Sequence, residues 1–507
     1  MVSRIGREYV AQMAAFAVAI ADRLLTAGVL VRLWGSEGFA AWTVALSAAG
    51  LLALCDFGLT SYFSNRLFFA VEQGETARAR HIFGAGNAAV LVAGLIGLVV
   101  VVASFRLFGK PVGNMAAGTT LLWCVILMAL ATALRRAMAV VFAAYTAHQD
   151  FFRQTMVVAA GNALQVSATI AAALLGGGLL IVSLTYFVST VLAASILPAI
   201  DVARRYPGFA YRLEIPDYEE RRAAFKTSLQ YWAQGGVITL VTFAPVFFLS
   251  GAGAAPRVIV QFALMRTLAN LVRAVLQLFA NVFGLEGARR IAIADRPGFS
   301  QTYRESTIFL AVQSAASAGV LAALAQPLFT VWTGDATLFD SLLLWLAVGP
   351  PLLLPSLAMG VQVLTCANLP AALLTGRTAQ LVLTVLSFFL LPVPDLATRM
   401  MLALVLGEVA GLGLPVTRAI LKLDPHAGMG LHLSLIWRSA AAALVAYFVV
   451  SVCADAFAHS IWLQLTVGLT AGLAVLTALT LSVGITKARR ATLLKLFRSR
   501  IAPRATR

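Results

Sequence analysis

Charge is what this sequence has least of. Asp, Glu, Lys and Arg make up 12% of its 507 residues, about half the roughly 25% carried by soluble domains. So few charges cannot cover a water-facing surface for a chain of this size, which excludes a soluble globular protein. Acids are the scarcer sign, with 21 Asp and Glu against 38 Lys and Arg. The four cysteines, Cys55, Cys124, Cys366 and Cys453, lie in or beside apolar segments and form no C-x-x-C pair, so neither a disulfide nor a zinc framework is implied. The five histidines, His81, His148, His426, His432 and His459, show no metal spacing. There is no P-loop, no H-E-x-x-H and no G-x-S-x-G. No catalytic residue, metal site or cofactor is assigned. An energy source, if one is used, would be an H+ or Na+ gradient or the substrate's own gradient.

What is present is apolar length. Residues 82–105, 111–134, 154–200, 227–256, 306–334, 341–376 and 460–486 contain no Asp, Glu, Lys or Arg. A hydrocarbon core about 30 Å thick needs roughly 20 helical residues. Backbone groups in lipid must be satisfied within the segment, and the period-two alternation of a barrel strand is absent. The expected fold is therefore all-α, a polytopic membrane protein of about 14 transmembrane helices. The spans fall at 10–33, 39–61, 82–106, 116–141, 154–176, 179–203, 225–250, 257–284, 305–330, 341–364, 370–392, 396–420, 432–454 and 460–485. Arg4 and Arg7 precede an apolar stretch that resembles a signal peptide, but it runs on to Leu33 without a cleavage site and reads as an uncleaved first span.

The net charge of +17 first suggests a nucleic-acid partner, but its distribution argues otherwise. Basic residues collect in alternate connectors: Arg66, Arg78 and Arg80; then Arg204 to Lys226; then Arg289, Arg290, Arg296 and Arg304; then Arg377, Arg418 and Lys422; and the tail 487–507. The intervening connectors carry only Arg32, Arg106, Lys110, Arg257 and Arg399. This is the positive-inside pattern, with both termini in the cytoplasm and anionic lipid as a secondary contact.

The longest connector, 204–224, divides an N-terminal lobe (1–203, six spans) from a C-terminal lobe (225–425, six spans), with 426–507 supplying two appended helices and the tail. A weak internal repeat supports pseudo-symmetric lobes. Span 1 is followed by Gly35-Ser36-Glu37-Gly38 and an apolar run to Phe57-Gly58; span 7 is followed by Gly251-Ala252-Gly253 and a run to Phe283-Gly284. Such repeats recur in transporters with the substrate site between the halves. Pro245, Pro350, Pro351, Pro355 and Pro415 fall inside spans, either as packed kinks or as hinges.

Span 8 carries the most informative pattern. Arg266, Asn270, Arg273, Gln277 and Asn281 recur at spacings of 4, 3, 4 and 4, which places all five within about 80° of arc. An Arg near mid-membrane costs at least ~2.5 kcal/mol on insertion scales. The stripe therefore faces either polar neighbours or a wet cavity. Span 1 holds Asp22 and Arg23, with Gln12 and Thr26 on the face of Arg23, and span 4 holds Arg135 and Arg136. These last two either line a cavity or snorkel to headgroups. Arg438, near the start of span 13, reads as an interfacial anchor. The embedded acids are fewer: Asp22, Glu408 in span 12, and Asp56 near the end of span 2. Five arginines against Asp22 and Glu408 leave the interior cationic, which suits phosphate or carboxylate. Asp22 and Glu408 either titrate with a coupling ion or neutralise an Arg structurally.

Residues 29–59 resemble the first two spans of Wzx-type flippases for lipid-linked oligosaccharides, with Arg32-Leu33-Trp34-Gly35 through Phe39 matching R-L-x-G-x-x-x-[FY] and Asp56-Phe57-Gly58-Leu59 matching D-x-G-[LI]. The 65–80 connector and the 225–334 block are similar to the same family, whose superfamily also holds multidrug exporters and lipid II flippases. Trp34 and Ala40-Ala41 depart from the usual residues around the first turn. The resemblance implies turning an undecaprenyl-pyrophosphate-linked glycan (O-antigen, capsule or exopolysaccharide unit) across the bacterial inner membrane by alternating access, without enzymatic chemistry. It implies a central cationic cavity holding Arg23, Arg266 and Arg273, and it implies membrane lipids, a polymerase and a chain-length regulator as partners, with no nucleic acid. Asn270, Gln277, Arg135 and Arg136 complete the expected substrate-binding set. Two alternatives stay open: a cation-coupled drug or metabolite exporter of the same superfamily, and a membrane-embedded glycan polymerase or transferase.

Overall fold

The computed structural model describes residues 2–108, 118–354, 356–367, 369–425 and 429–484. The basic tail, Lys110, Pro355 and His426 lie outside the described residues. Among the described residues there is no strand. Eleven helices are long and apolar enough to cross a membrane, and the pair Ser341–Leu353 and Ser356–Cys366, bent by 60°, makes a twelfth. The first of these, Ala11–Asp56, has 46 residues, roughly twice what a bilayer needs. It breaks at Gly35, whose φ of 64° only glycine adopts readily, into two passes. A shorter apolar helix, Gly235–Gly251, completes the set. Fourteen passes result, at the places the hydropathy predicts.

Large apolar side chains remain exposed along these helices, among them Val99, Leu175, Phe389, Trp437 and Leu473. In water such a surface would cost about 25 cal/mol per Å²; against acyl chains it costs nothing.

The described residues form two compact units, Met1–Leu264 with Trp332–Gly334, and Met265–Val331 with Asp335–Arg507. The first unit thus runs past the expected lobe end at 203 and takes in span 7. Its helix, Tyr218–Gly251, packs on spans 2 and 3: Trp232 Nε1 donates to Leu54 O at 2.5 Å, and the Phe105 and Phe247 rings lie 6.3 Å apart. The connector from span 6 to span 7 is not a loose linker. Phe209 is buried edge-on against Phe83, Tyr206 stacks on His148, and Glu214 accepts from His81 Nδ1 at 2.7 Å while its N–H donates to Gly84 O at 3.1 Å.

In the second unit the last two helices, Met429–Asp455 and Ile461–Leu479, pack on the helix Arg296–Thr333 through small residues. A Cβ on Gly472 would meet Val320 at 2.7 Å. Small residues let backbones approach where no hydrophobic drive separates helix from lipid.

Four helices contain a π-turn: Asp22–Thr26, Leu192–Ile196, Gly407–Leu412 and Thr480–Gly484. Two have a local cause. Pro198 and Pro415 follow the second and third, and a proline ring clashes with the carbonyl four residues earlier, which a widened turn relieves. No proline follows Asp22–Thr26 before Pro111. There Thr26 Oγ1 donates to Asp22 Oδ1 at 3.0 Å, whereas Thr43 and Thr132 bond the carbonyl one turn back.

Candidate functional site: two membrane-embedded polar clusters

Each unit holds one cluster of charged side chains at membrane depth, and in each the acid sits in a π-turn. Such turns re-aim the side chains that follow and recur at functional sites.

In the first unit the acid is Asp22, half-buried beside Thr26. Arg135 and Arg23 lie within electrostatic reach of it. Arg135, from the helix Gly118–Ala137, donates through Nη2 to Gln165 Oε1 at 2.6 Å and to Asn162 Oδ1 at 3.4 Å, both on the helix Phe151–Leu174. Its Nε is buried and has no hydrogen-bond partner among the described residues. Tyr186 faces both Arg135 and Asp22 and packs edge-on against Trp42, with ring centroids 5.8 Å apart. Arg23 is exposed. Arg136 turns toward Asp56, whose carboxylate offsets its charge, although Asp56 is hydrogen-bonded to Thr60 at 2.6 Å rather than to Arg136. The structure therefore gathers Arg135 with Asp22 and assigns Arg136 to a different neighbourhood.

In the second unit the acid is Glu408. Arg273 Nη1 donates to both its oxygens, at 2.7 and 2.9 Å, and Arg273 Nη2 donates to Ala347 O at 3.2 Å. Of the two roles the sequence leaves open for Glu408, the ion pair with an arginine is the one formed here. The pair is only partly shielded, with the side chains 34% and 22% exposed. Arg266, two turns earlier on the same helical face, is half-buried and feels both Arg273 and Glu408. Asn270, between the two arginines, is also half-buried, while Gln277 and Asn281 are exposed and bonded to each other at 2.9 Å. The stripe of span 8 is thus split: its first three residues join the cluster and its last two leave it.

One member of the cluster was misjudged from sequence. Arg377 reads as a connector charge, yet it lies inside the helix Pro370–Leu390, half-buried, donating to Gln380 Oε1 at 2.9 Å and within the field of Glu408. The spacing Arg377, Gln380, Thr384 was the available signal, one polar face of a helix. The contact that brings Glu408 to it is made by glycine. Gly407 and Gly411 form a small-x-x-x-small pair, and a Cβ on Gly411 would come within 2.6 Å of Gln380 Cα. Glu408 is thus bonded to Arg273 and within the field of Arg266 and Arg377, so among the described residues the cluster holds more cations than acids. Lipid cannot hydrate such charge, which favours water or an anion beside it.

Among the described residues no group of His, Cys, Asp and Glu is placed to hold a metal ion.

No protein-family model and no curated protein matches the chain. Solved structures do. The lipid II flippase MurJ in its inward closed conformation aligns with a TM-score of 0.69 at 12% identity, covering 93% of this chain and 97% of that one. An inward-facing multidrug resistance MATE family transporter of the MOP superfamily aligns at 0.61 and 13% identity, over 80% of this chain and 95% of that one. An outward-facing one aligns at 0.57 and 15%, over 83% and 95%. The chain is a multi-pass membrane protein with the fold of these MOP-superfamily transporters.

Proposed function

We propose that this protein is a flippase that moves an undecaprenyl-pyrophosphate-linked oligosaccharide across the bacterial inner membrane by alternating access, with both termini cytoplasmic and no enzymatic step. The observation that carries the reading is the gathering of Arg266, Arg273 and Arg377 around Glu408 among the described residues. A pyrophosphate would supply the missing negative charge, and guanidinium groups suit it because their donors match phosphate oxygens in pairs. Support for alternating access is that MATE transporters of the same fold are found inward- and outward-facing. In the first unit, Arg135 and Arg23 beside Asp22 would give the glycan phosphate a second contact. Glycan identity, a polymerase and a chain-length regulator as partners, and coupling to H+ or Na+ belong to the same proposal.

The test is flipping of a fluorescent undecaprenyl-pyrophosphate oligosaccharide in proteoliposomes. Arg266→Ala and Arg377→Ala should each slow it by about 10- to 100-fold, the worth of one charge-assisted hydrogen bond. Wild-type rates in both variants would sink the assignment.

A second reading has one observation in its favour. Asp22 and Glu408 both lie in π-turns, as a cation-coupled exporter would place its titrating acids. It predicts efflux of an organic cation, driven by a proton or sodium gradient and abolished by Asp22→Asn, with no flipping of the polyprenyl substrate.

A further inference from the structure

The second unit contains another basic site, built from residues outside the Glu408 cluster. A cavity of about 750 Å³ opens where three helix ends meet: the start of Arg296–Thr333, the end of Gly413–Leu423, and the first turns of Met429–Asp455. Four cations line it, Arg296, Arg304, Lys422 and Arg438. Arg296, Arg304 and Lys422 are exposed and Arg438 is half-buried, and no side-chain hydrogen bond or ion pair joins any of the four to another described residue. The two carboxylates in the wall are otherwise placed: Glu305 accepts from Gln301 Nε2 at 3.0 Å, and Asp424 is buried, 5% exposed. Among the described residues the lining thus carries four cations against two carboxylates.

Its surroundings say what kind of anion fits. The rest of the wall is mixed, with Ser300 and Gln301 as uncharged hydrogen-bonding groups and Pro297, Ile308, Leu423 and Pro425 as its apolar part. The helix that contributes Arg438 also carries, on an adjacent face, a stripe of exposed apolar side chains: Leu433, Trp437, Leu444 and Phe448, 61%, 73%, 68% and 68% exposed. The cluster lies at the Lys/Arg-rich end of the spans, the cytoplasmic side by the positive-inside rule. A molecule with a phosphate head and two acyl chains has this shape.

We propose that this cavity is a headgroup site for an anionic phospholipid of the inner leaflet, its phosphate held by Arg304, Lys422, Arg438 and Arg296 and its chains lying along the Leu433–Phe448 face. Basic pockets between helices on the cytoplasmic side bind such headgroups. The site is separate from the Arg273–Glu408 cluster and does not depend on what the protein transports.

The test uses the full chain in nanodiscs of phosphatidylcholine with increasing dioleoyl-phosphatidylglycerol, reading the thermal midpoint and the phospholipid retained after detergent exchange. Phosphatidylglycerol should raise the midpoint saturably and be retained over phosphatidylcholine. At about 1 kcal/mol per basic residue near an anionic surface, Arg304→Ala with Lys422→Ala should weaken the apparent affinity about 30-fold, about 2 kcal/mol at 1.4 kcal/mol per tenfold. Arg304→Lys with Lys422→Arg should restore it, which separates loss of charge from misfolding. Arg221→Ala with Arg222→Ala, exposed basic residues of the other unit, should change nothing. Equal retention of both lipids, an unaltered alanine variant, or the same midpoint shift with millimolar inorganic phosphate in pure phosphatidylcholine would each overturn the lipid assignment.

Discussion

The Arg273–Glu408 contact offers the sharpest perturbation. Breaking a fully buried ion pair by removing one partner costs about 3–5 kcal/mol, and an exposed pair is worth about 0–1 kcal/mol. With the side chains 34% and 22% exposed, this pair falls between, at a coupling of about 2 kcal/mol. The two single variants should differ, because the cluster is not symmetric in charge. Glu408→Gln removes the carboxylate whose field reaches Arg266, Arg273 and Arg377, whereas Arg273→Gln leaves Glu408 in the field of two arginines. The acid is therefore the costlier loss, by roughly 1 kcal/mol. The assay is a double-mutant cycle by equilibrium unfolding in mixed micelles, followed by fluorescence of the eight tryptophans. The double variant should recover most of the penalty of Glu408→Gln. Losses that simply add, within about 0.3–0.5 kcal/mol, would refute the pairing, and a costlier Arg273→Gln would refute the cationic surplus.

Gly411→Leu should destabilise the second unit by about 1–3 kcal/mol, the usual cost of forcing volume into a packed contact, because a Cβ there already meets Gln380 Cα at 2.6 Å; lowered resistance to proteolysis in detergent would report it. Gly58→Ala should cost at least about 1 kcal/mol, since Gly58 has φ 73° and its Cβ would sit 2.9 Å from Trp232 N, and thermal unfolding with Gly74→Ala as the comparison checks it, as Gly74 shares the positive φ with nothing near. In the turn between spans 8 and 9, the Arg290 guanidinium, at 2.6 Å, and then the Gly298 N–H hold the Asp295 carboxyl below its usual range. A carboxyl lowered on folding stabilises the turn above about pH 4, its unfolded value, and that contribution fades as pH falls through the lowered value. Protection factors across 292–299, the intrinsic exchange rate at each pH divided by the observed one, should fall below pH 4 and stay flat from pH 5 to 8.

The spans were legible because insertion is decided locally. Some 20 residues and their summed transfer energy settle whether a segment sits in lipid, so charge-free runs such as 82–105 and 460–486 mark helices without reference to anything distant. The split of the span 8 stripe was half legible. Helical spacing aligned Arg266, Asn270 and Arg273, and it aligned Gln277 and Asn281 equally well, because periodicity describes a face and not how far along the helix its neighbours extend.

Arg377 was obscured for a related reason. A charge seven residues into an apolar helix counts like a connector charge when charges are tallied along the chain, and only Gln380 on the same face hinted otherwise. The π-turn at Gly407–Leu412 was foreshadowed by Pro415, whereas that at Asp22–Thr26 has no proline behind it and depends on a side-chain bond that competes with the helix.

By itself the sequence determined a multi-pass all-α membrane protein, the location of its passes and the presence of more buried cations than acids, since each follows from the cost of placing a given residue in lipid. The tertiary structure alone decided which cation meets which acid. Arg273 and Glu408 are 135 positions apart, and what joins them is the close approach that Gly407 and Gly411 permit between neighbouring helices. Coulomb attraction falls off with distance through space, and nothing in the order of residues along a chain encodes that distance.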